Sequence, residues 1–242
     1  MMASVNDGHN EGHRQRLRER FLEDGLDGFH DYEVVELLLT VATPRKDCKP
    51  AAKEALTRFK NITGVMEASS EALMKINGVG DVNVFGIKLI KAICERYLKD
   101  RVFEDDIIRN PSVLFDYLNM HMGNRDREYF SVVYLNAKNR VLDVETLFEG
   151  TLTSSAVYPR EVVKNAMEKK AASLIFAHNH PSGDPEPSKA DMEITRRLTF
   201  ACRLVDISVL EHLIMGGKKY FSFADSGHIA GFEKDYEILV LK

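Results

Sequence analysis

Apolar residues in the first hundred positions recur every three to four residues, which is the period of an α-helix. This spacing predicts a polar helix over residues 13–25, ending at Gly25, and a largely apolar helix over residues 32–42. A third helix is predicted over residues 49–59, because Pro50 stands in a first turn, where proline is tolerated. The N-terminal part of the chain is therefore predicted to be all-α.

A short helix, a tight turn and a longer helix are predicted from SSEALMKINGVGDVNVFGIKLIKAICERYL, residues 69–98. In this helix-hairpin-helix pattern, Gly78 and Gly80 permit the close turn and point backbone N–H groups outward. Such groups can bind a phosphate, so one interpretation is DNA contact at Gly78 and Gly80; the other is a plain connector between helices. Residues 1–101 contain 16 Lys and Arg and 16 Asp and Glu, and Asp81 lies in the turn, so the sequence supplies no basic excess for DNA.

A domain boundary is predicted where the helical pattern stops. The segment 102–112 is charged, lacks clear periodicity and ends in a helix-start signal. We therefore expect a helical domain over residues 1–101, a linker over 102–112 and a second domain over 113–242.

The second domain alternates between the period of a helix and that of a strand. Helices are predicted over residues 112–123, 159–172 and 188–205, and strands over 129–136, 140–148, 172–177, 206–215 and 218–225. A two-residue turn at Lys138-Asn139 joins the first two strands, and residues 231–242 receive no assignment. The predicted class is α/β, with a mixed sheet flanked by helices.

Composition is that of an ordinary soluble globular protein, with 44% hydrophobic residues, 29% charged residues and a formal net charge of -4. This mild acidity argues against binding nucleic acid through overall charge. The three cysteines have no CxxC spacing and cannot all pair with one another, which favours a reducing cytoplasm. The longest apolar stretch, VVELLLTVA, is too short to span a membrane, and no secretory signal is evident, so a cytoplasmic location without membrane contact is expected.

Two histidines close the predicted strand AASLIFA. Because alternate residues of a strand point to one face, His178 and His180 are expected to face the same way, and imidazoles so placed can bind one zinc ion. The alternative is a pair of solvated loop histidines before Pro181.

The predicted position of Asp191 favours the interpretation of His178 and His180 as metal ligands. On its predicted helix, Asp191 shares a face with apolar residues that must look inward, namely Ile194, Leu198, Ala201 and Val205. A carboxylate on a buried face is costly unless it meets a cation or several donors. Two His and one Asp also leave a fourth tetrahedral position open, which is the pattern of catalytic rather than structural zinc.

Ser188 has two interpretations. Ser-x-x-Asp at a helix start is typical of a capping box, in which Ser188 accepts a hydrogen bond from an N–H group of the first turn. Asp191 would then have to reach back to the cap as well as hold a metal, and these two roles are expected to conflict. The inward face of Asp191 favours the metal.

The spacing H-x-H-x7-S-x2-D, met by His178, His180, Ser188 and Asp191, resembles the JAMM motif of MPN-type metalloenzymes. The segments YLNAKN, EGTL, YPREVV, AHNHPSGDPEPSKAD, TRRL and EHLIMG resemble the bacterial RadC family, and the similarity covers nearly the whole chain. That family pairs an N-terminal helix-hairpin-helix region with a C-terminal JAMM domain. The resemblance implies a three-layer, cytidine-deaminase-like α/β fold and one zinc ion per chain, held by His178, His180 and Asp191.

The resemblance also implies a reaction. In proteolytic JAMM enzymes a glutamate from an early strand activates a zinc-bound water and the serine of the motif stabilises the tetrahedral oxyanion, so Ser188 takes the second role. The implied function is a zinc metallohydrolase of peptidase or isopeptidase type, acting on a protein or peptide. Two alternatives stay open: a DNA repair or recombination protein that binds DNA through residues 1–101, and a metal-bearing interaction module without catalysis.

The general base must come from outside the motif, and Glu128 and Glu149 are the candidates. Counting outward from a two-residue turn at Lys138-Asn139 sets Glu128 opposite Glu149, so geometry from the sequence does not choose between them. The resemblance chooses Glu128, which precedes the apolar strand FSVVYLN. Glu211 and His212 stand where the family usually has Asp-His, and both are assigned a structural role at a strand end.

Overall fold

The computed structural model describes residues 7–43, 46–104, 107, 111–123, 125–150, 157–217 and 219–240. Two compact units divide the chain, Met1–Cys94 and Glu95–Lys242. The elements of the described residues are, in chain order, α1 (Asp7–Asp24), α2 (Asp31–Ala42), α3 (Lys49–Phe59), α4 (Ile62–Glu67), α5 (Ser70–Met74), α6 (Asp81–Glu104), α7 (Pro111–Met122), β1 (Glu128–Leu135), β2 (Val141–Gly150), α8 (Pro159–Glu168), β3 (Ser173–Asn179), α9 (Lys189–Arg203), β4 (Ser208–Gly216), β5 (Lys219–Ser222) and α10 (His228–Val240).

The first unit is helical, as the periodicity predicts. Its core is formed by apolar residues of α2 to α6, including Val35, Leu39, Leu73 and Ile87. Helix α4 was not predicted from the sequence; it is only six residues long and is started by Asn61, whose side chain accepts from the N–H of Gly64.

The predicted helix-hairpin-helix is formed by α5, the turn at residues 75–80 and α6. Gly78 has a φ of +89°, a conformation that glycine adopts without steric cost. Helix α6 continues through residue 101 to Glu104, so the first part of the predicted linker, residues 102–104, is helical. Pro111 opens α7, and residues 105–106 and 108–110 lie outside the described residues.

A five-stranded mixed sheet with the order β2-β1-β3-β4-β5 forms the centre of the second unit. Strands β3 and β4 are parallel and the other neighbours are antiparallel. One face packs against α7, through residues such as Leu114 and Leu118. The other face packs against α8, α9 and α10, through residues such as Val162, Leu198 and Phe232. The predicted α/β architecture is therefore present, with helices on both sides of the sheet.

The turn between β1 and β2 differs from the two-residue turn that the sequence predicts. Asn136 accepts through its carbonyl from the N–H of Asn139 and donates its own N–H to the carbonyl of Arg140. The Asn136 side chain accepts from the N–H groups of Lys138 and Arg140, and Asn139 adopts a φ of +56°. The loop is longer than predicted because the Asn136 side chain satisfies backbone donors that a tighter hairpin would have paired.

Three β-bulges change which side chains share a face of the sheet. The extra residues are Leu142 and Leu147 on β2, opposite β1, and Leu210 on β4, opposite β3. A bulge interrupts the strict alternation of a strand. Residues on either side of each bulge therefore lie on faces that counting by twos would not assign to them.

The C-terminal segment, left unassigned by the sequence, forms most of α10. Ile229, Phe232 and Tyr236 are buried, so the helix contributes a layer to the core of the second unit. Residues 241–242 lie outside the described residues. Among the described helices, none combines the length and the apolar character that crossing a membrane requires.

Candidate metal centre

Strand β3 positions the two histidines. All seven of its residues are buried, and its pairing with β1 sets His178 opposite Phe130. Beyond the strand end, the N–H of His180 donates to the carbonyl of Met215 on β4 (2.8 Å), so the chain stays extended for one more residue. The two imidazoles consequently lie together, with ring centroids 4.9 Å apart. The structure brings His178 and His180 onto one face, as their spacing predicts.

Helix α9 brings the third group. Asp191 lies in its first turn, on the inward face with Ile194 and Leu198, and is 3% exposed. Its Oδ1 is 3.2 Å from Nε2 of His178, and its Oδ2 is 3.4 Å from Nε2 of His180. The two Nε2 atoms are 3.1 Å apart. One potential ligand atom from each of the three residues therefore lies within 4.8 Å of the other two.

The spacing of these atoms fits zinc. With ligands about 2.0–2.1 Å from the ion, the corners of a tetrahedral site stand roughly 3.3–3.4 Å apart. The two Nε2 atoms are 3.1 Å apart, and each lies 3.2 or 3.4 Å from a different oxygen of Asp191, Oδ1 for His178 and Oδ2 for His180, so each of these separations is close to that edge length. Two nitrogens and one carboxylate oxygen are also a donor set that zinc accepts. The donor set and the spacing of the three residues therefore fit a zinc ion.

The charges of the cluster are arranged to attract a cation. Burial would raise the pKa of Asp191, but the imidazoles of His178 and His180 beside it hold that pKa well below the usual range of a carboxyl group. Burial lowers the pKa of His178. Hydrogen bonding to Asp191 raises the pKa of His180, and the carbonyl of Asp184 and the charge of Glu128 raise it further. An ionised carboxylate thus lies buried beside a neutral imidazole, and metal binding would compensate its charge.

Ser188 caps α9, and the cap does not conflict with the cluster. Its Oγ accepts from the N–H of Asp191 (3.2 Å), and Oδ2 of Asp191 accepts from the N–H of Ser188 (2.7 Å). The expected conflict does not arise, because a carboxylate has two oxygens with two lone pairs each and Asp191 can serve the cap and the cluster together. The Ser188 hydroxyl also lies within hydrogen-bond reach of the Asp191 carboxylate, which helps to hold the pKa of that group low.

The loop between β3 and α9 fixes the ring of His180. Its Nδ1 lies 2.8 Å from the carbonyl of Asp184, which can only accept, so Nδ1 carries the proton and the neutral ring presents a bare Nε2 to the cluster. The loop also runs against β4 at Gly216. A Cβ atom there would lie 2.7 Å from the nitrogen of Pro185 and 2.8 Å from the carbonyl of Gly183, so glycine permits the close approach.

Three further polar residues surround the cluster and were not assigned to it from the sequence. Nδ1 of His178 lies 2.8 Å from Nε2 of His212, and Nδ1 of His212 lies 2.6 Å from Oγ1 of Thr195. Asn179 accepts from the N–H of Tyr129 (2.8 Å) and donates to the carbonyl of Arg127 (2.9 Å), so it clamps the backbone on both sides of Glu128. The signals available in the sequence were single polar residues, Asn179 and His212, in otherwise apolar strands, and Thr195 one turn after Asp191 on its helix.

Glu128 and Glu149 lie on opposite faces of the sheet. The bulge at Leu147 shifts the register by one, so Glu128 pairs with Gly150 and Glu149 pairs with Tyr129. Glu128 shares the face of Phe130 and His178, and its charge acts on both histidines of the cluster. Glu149 is 52% exposed in its side chain and lies 3.9 Å from Arg127. The predicted pairing of Glu128 with Glu149 is therefore wrong.

A cleft of about 350 Å³ opens beside Glu128. Its lining is Asp126, Arg127, Glu128, Gly150 and Pro181. Pro181 directly follows the second histidine, so the cleft lies where the strand that carries the cluster ends.

The hairpin glycines of the first unit form a separate candidate site. The N–H of Gly80 donates to Oδ1 of Asn83 (3.1 Å), and Asn83 in turn donates to the carbonyl of Leu39 and to Thr43. Asn83 is buried. One of the outward N–H groups that would meet a phosphate is therefore already paired, and DNA contact at Gly78 and Gly80 stays a prediction.

Both parts of the chain match known protein families. Residues 108–228 match the family described as RadC-like JAB domain, and residues 10–85 match the family described as UPF0758 N-terminal. The first match contains the whole cluster of His178, His180 and Asp191 together with Glu128 and Ser188. The second contains the helix-hairpin-helix turn.

Curated relatives align along most of this chain. A UPF0758 protein of Fusobacterium nucleatum subsp. nucleatum is 39% identical over 232 residues, covering 93% of this chain and 100% of the relative. A UPF0758 protein of Pseudoalteromonas translucida is 40% identical over 215 residues, covering 89% and 96%. One of Ruegeria pomeroyi is 39% identical over 216 residues, with the same coverage.

Proposed function

The chain belongs to the RadC family, with a JAB domain in its C-terminal half, and on that basis we propose that it is a zinc-dependent hydrolase of amide or isopeptide bonds in proteins or peptides. The observation that carries the proposal is the cluster of His178, His180 and Asp191, in which one potential ligand atom from each residue lies within 4.8 Å of the others. Two histidines and one carboxylate leave a tetrahedral position open, as in catalytic zinc sites.

When bound, zinc would supply a Lewis acid that makes water a stronger acid and polarises a carbonyl oxygen. His178 and His180 would hold it through Nε2, and Asp191 through its carboxylate. Their rings and carboxylate are already oriented by Asp184, His212 and Ser188, so little ordering remains to be done on binding.

Glu128 is the general base of the proposal. It lies at the first residue of β1, on the face of the cluster, and it lines the cleft where a substrate chain would enter. A carboxylate in this place can take a proton from the attacking water and pass it to the leaving nitrogen. Asn179 holds the backbone on both sides of Glu128, which keeps the carboxylate at the edge of the cluster.

Ser188 is the proposed donor to the oxyanion. Its oxygen accepts from the N–H of Asp191, and its hydroxyl lies beside the Asp191 carboxylate at the cluster, from where it would turn towards the oxyanion. A hydroxyl directed at a developing negative charge in a site with little water stabilises the transition state more than the ground state. Ser188 therefore combines a cap of α9 with a donor beside the candidate metal.

The function is tested on the purified full chain by measuring its zinc content and its turnover of short peptides, isopeptide-linked chains and DNA. We expect about one zinc per chain and hydrolysis of an amide bond that chelation abolishes and added zinc restores. Metal-dependent cleavage of DNA with no peptide cleavage would favour the nucleic-acid alternative. Bound zinc without turnover of any substrate would favour an interaction module.

Ser188→Ala separates the two roles of the serine. As a cap alone, the substitution should lower the free energy of unfolding by about 1 kcal/mol and leave turnover intact. As an oxyanion donor, it should also lower kcat by about 10²- to 10³-fold. We expect both losses, measured by thermal unfolding and by turnover at saturating substrate.

Ser188→Asp is the matched control, because aspartate can accept from the N–H of Asp191 but has no hydroxyl proton to donate. The variant should recover the stability lost in Ser188→Ala without recovering the rate. Full activity in Ser188→Asp would remove the oxyanion role and leave Ser188 as a helix cap.

A further inference from the structure

His212 lies in an unusual place for an imidazole. It is fully buried on β4, and its ring is surrounded by three phenylalanines: Phe223 at 4.9 Å, Phe130 at 5.6 Å and Phe176 at 5.9 Å between ring centroids. A polar ring in apolar surroundings destabilises the fold unless its nitrogens are hydrogen-bonded. A phenylalanine would fill this space without that cost, so the nitrogens of His212 require an explanation.

Both nitrogens are paired, and the pairs join the cluster to its own helix. Nε2 of His212 lies 2.8 Å from Nδ1 of His178, and Nδ1 of His212 lies 2.6 Å from Oγ1 of Thr195. The Thr195 hydroxyl donates to the carbonyl of Asp191, one helical turn earlier. A buried chain of hydrogen bonds therefore runs from one candidate ligand, His178, to the backbone of another, Asp191.

The backbone carbonyl of Asp191, at the end of this chain of hydrogen bonds, determines which atom of each pair donates the proton. A carbonyl only accepts, so Thr195 donates its one proton to Asp191 and must accept from Nδ1 of His212. A neutral imidazole has a single N–H, so Nε2 of His212 is bare and accepts from Nδ1 of His178. Nε2 of His178 is then also bare, and its lone pair points at His180 and Asp191.

The reverse order of protons would prevent metal binding. If Thr195 donated to His212, His212 would in turn donate from Nε2 to Nδ1 of His178. His178 would then carry its own proton on Nε2, 3.2 Å from Oδ1 of Asp191. That proton would occupy the place of the ion. The order in which His212 accepts is the one in which all three ligand atoms offer lone pairs.

We propose that His212 is a positioning residue, which, held by Thr195, accepts the Nδ1 proton of His178 and so keeps Nε2 of His178 available to a zinc ion. The inference rests on the proposed zinc site and goes beyond it, because His212 is not itself a ligand. Partners of this kind fix the tautomer and the orientation of a ligating histidine. Because of the bulge at Leu210, Val209 and His212 lie on the same face of the sheet although they are three residues apart.

The test compares variants of the full chain by zinc affinity, measured in competition with a chromophoric chelator. His212→Phe keeps an aromatic ring among the phenylalanines and removes the acceptor, and we expect zinc to bind about 10- to 100-fold more weakly. His212→Gln places an acceptor oxygen near Nε2, and its loss should be smaller. Thr195→Val keeps the shape of the side chain but removes the hydroxyl that holds the proton on Nδ1 of His212. His212 can then carry its proton on either nitrogen, so this variant should also bind zinc more weakly.

His228→Phe is the matched control. His228 lies in the same apolar layer, with its ring centroid 5.7 Å from that of Phe223, and no hydrogen bond joins it to the cluster within the described residues. The same substitution there should leave zinc affinity unchanged. Long-range proton–nitrogen spectra of the zinc-loaded proteins supply a second readout: His178 should carry a slowly exchanging proton on Nδ1 in the wild type, and this signal should be lost in His212→Phe.

Circular dichroism of the zinc-free variants shows whether each one folds. If His212→Phe does not fold, His212→Gln and Thr195→Val decide, and wild-type affinity together with an unchanged His178 tautomer in Thr195→Val would overturn the inference. So would equally weak binding by folded His212→Gln and His212→Phe. If the wild type binds zinc, Asp191→Ala does not, and His212→Phe binds as the wild type does, only this inference fails; if the wild type binds none, the proposed function fails with it.

Discussion

Replacing Asp191 with alanine is expected to reduce the zinc content of the purified protein from about one ion per chain to none. The carboxylate is the only anionic group among the three candidate ligands, and it lies 3.2 and 3.4 Å from the two Nε2 atoms. Without it, two neutral imidazoles remain in a buried site, and two ligands do not hold zinc against a chelator. The measurement is metal content by mass spectrometry after dialysis.

Loss of the carboxylate also removes half of the capping box, so the stability of the variant must be followed separately. Asp184→Ala is the control. That carboxylate belongs to the same loop, but it is exposed and accepts only from the N–H of Glu186, while the carbonyl that holds His180 stays in place. Asp184→Ala should retain one zinc. Zinc bound as tightly by Asp191→Ala as by the wild type would show that the site is wrongly assigned.

Replacing Glu128 with glutamine is expected to keep the zinc and to lower the rate of hydrolysis by about 10²- to 10⁴-fold. The amide has the size and shape of the carboxylate but cannot accept a proton from water. Asn179 binds the backbone on both sides of position 128, not its side chain, so the substitution should not disturb the strand. Turnover and metal content are measured on the same preparation.

Glu149→Gln is the control for this prediction. Glu149 is also a glutamate at the end of a strand, and it precedes Gly150, the residue paired with Glu128. It lies, however, on the other face of the sheet, opposite Tyr129. Its substitution should leave both zinc and turnover near those of the wild type. An essential Glu149 together with a dispensable Glu128 would contradict the assignment of the base.

Most of the elements follow from local pattern, because burial of one face imposes a period of two or of 3.6 residues on the sequence. The helix over Asp31–Ala42 and the buried strand over Ser173–Asn179 are examples. Helix α10 was not predicted, because Gly231 lies within it and because its apolar residues are not confined to one face. They occur on the buried face and also at exposed positions such as Ile238 and Leu239. There the packing against the sheet, rather than the local pattern, determines the structure.

The candidate site was predictable where its residues lie close in the chain. His178, His180, Ser188 and Asp191 fall within fourteen residues, and a strand followed by a turn and a helix brings them together. The choice between Glu128 and Glu149 was not predictable from residue counting, because the extra residue Leu147 exchanges their faces. His212 was assigned only a structural role, because its partners Thr195 and His178 are 17 and 34 residues away and a single polar residue in a strand has many explanations.

The bulge at Leu210 has a consequence for the lengths that this chain can tolerate. A residue removed from a regular strand exchanges the faces of all side chains that follow it, whereas removing Leu210 would restore strict alternation and leave Val209 and His212 where they are. A deletion at Leu213, beyond the bulge, would instead exchange the faces of Ile214 and Met215, which pack on opposite sides of the sheet. We therefore expect β4 to tolerate a one-residue deletion at Leu210 better than one at Leu213. Point substitutions, which keep the length of the strand, would not show this difference.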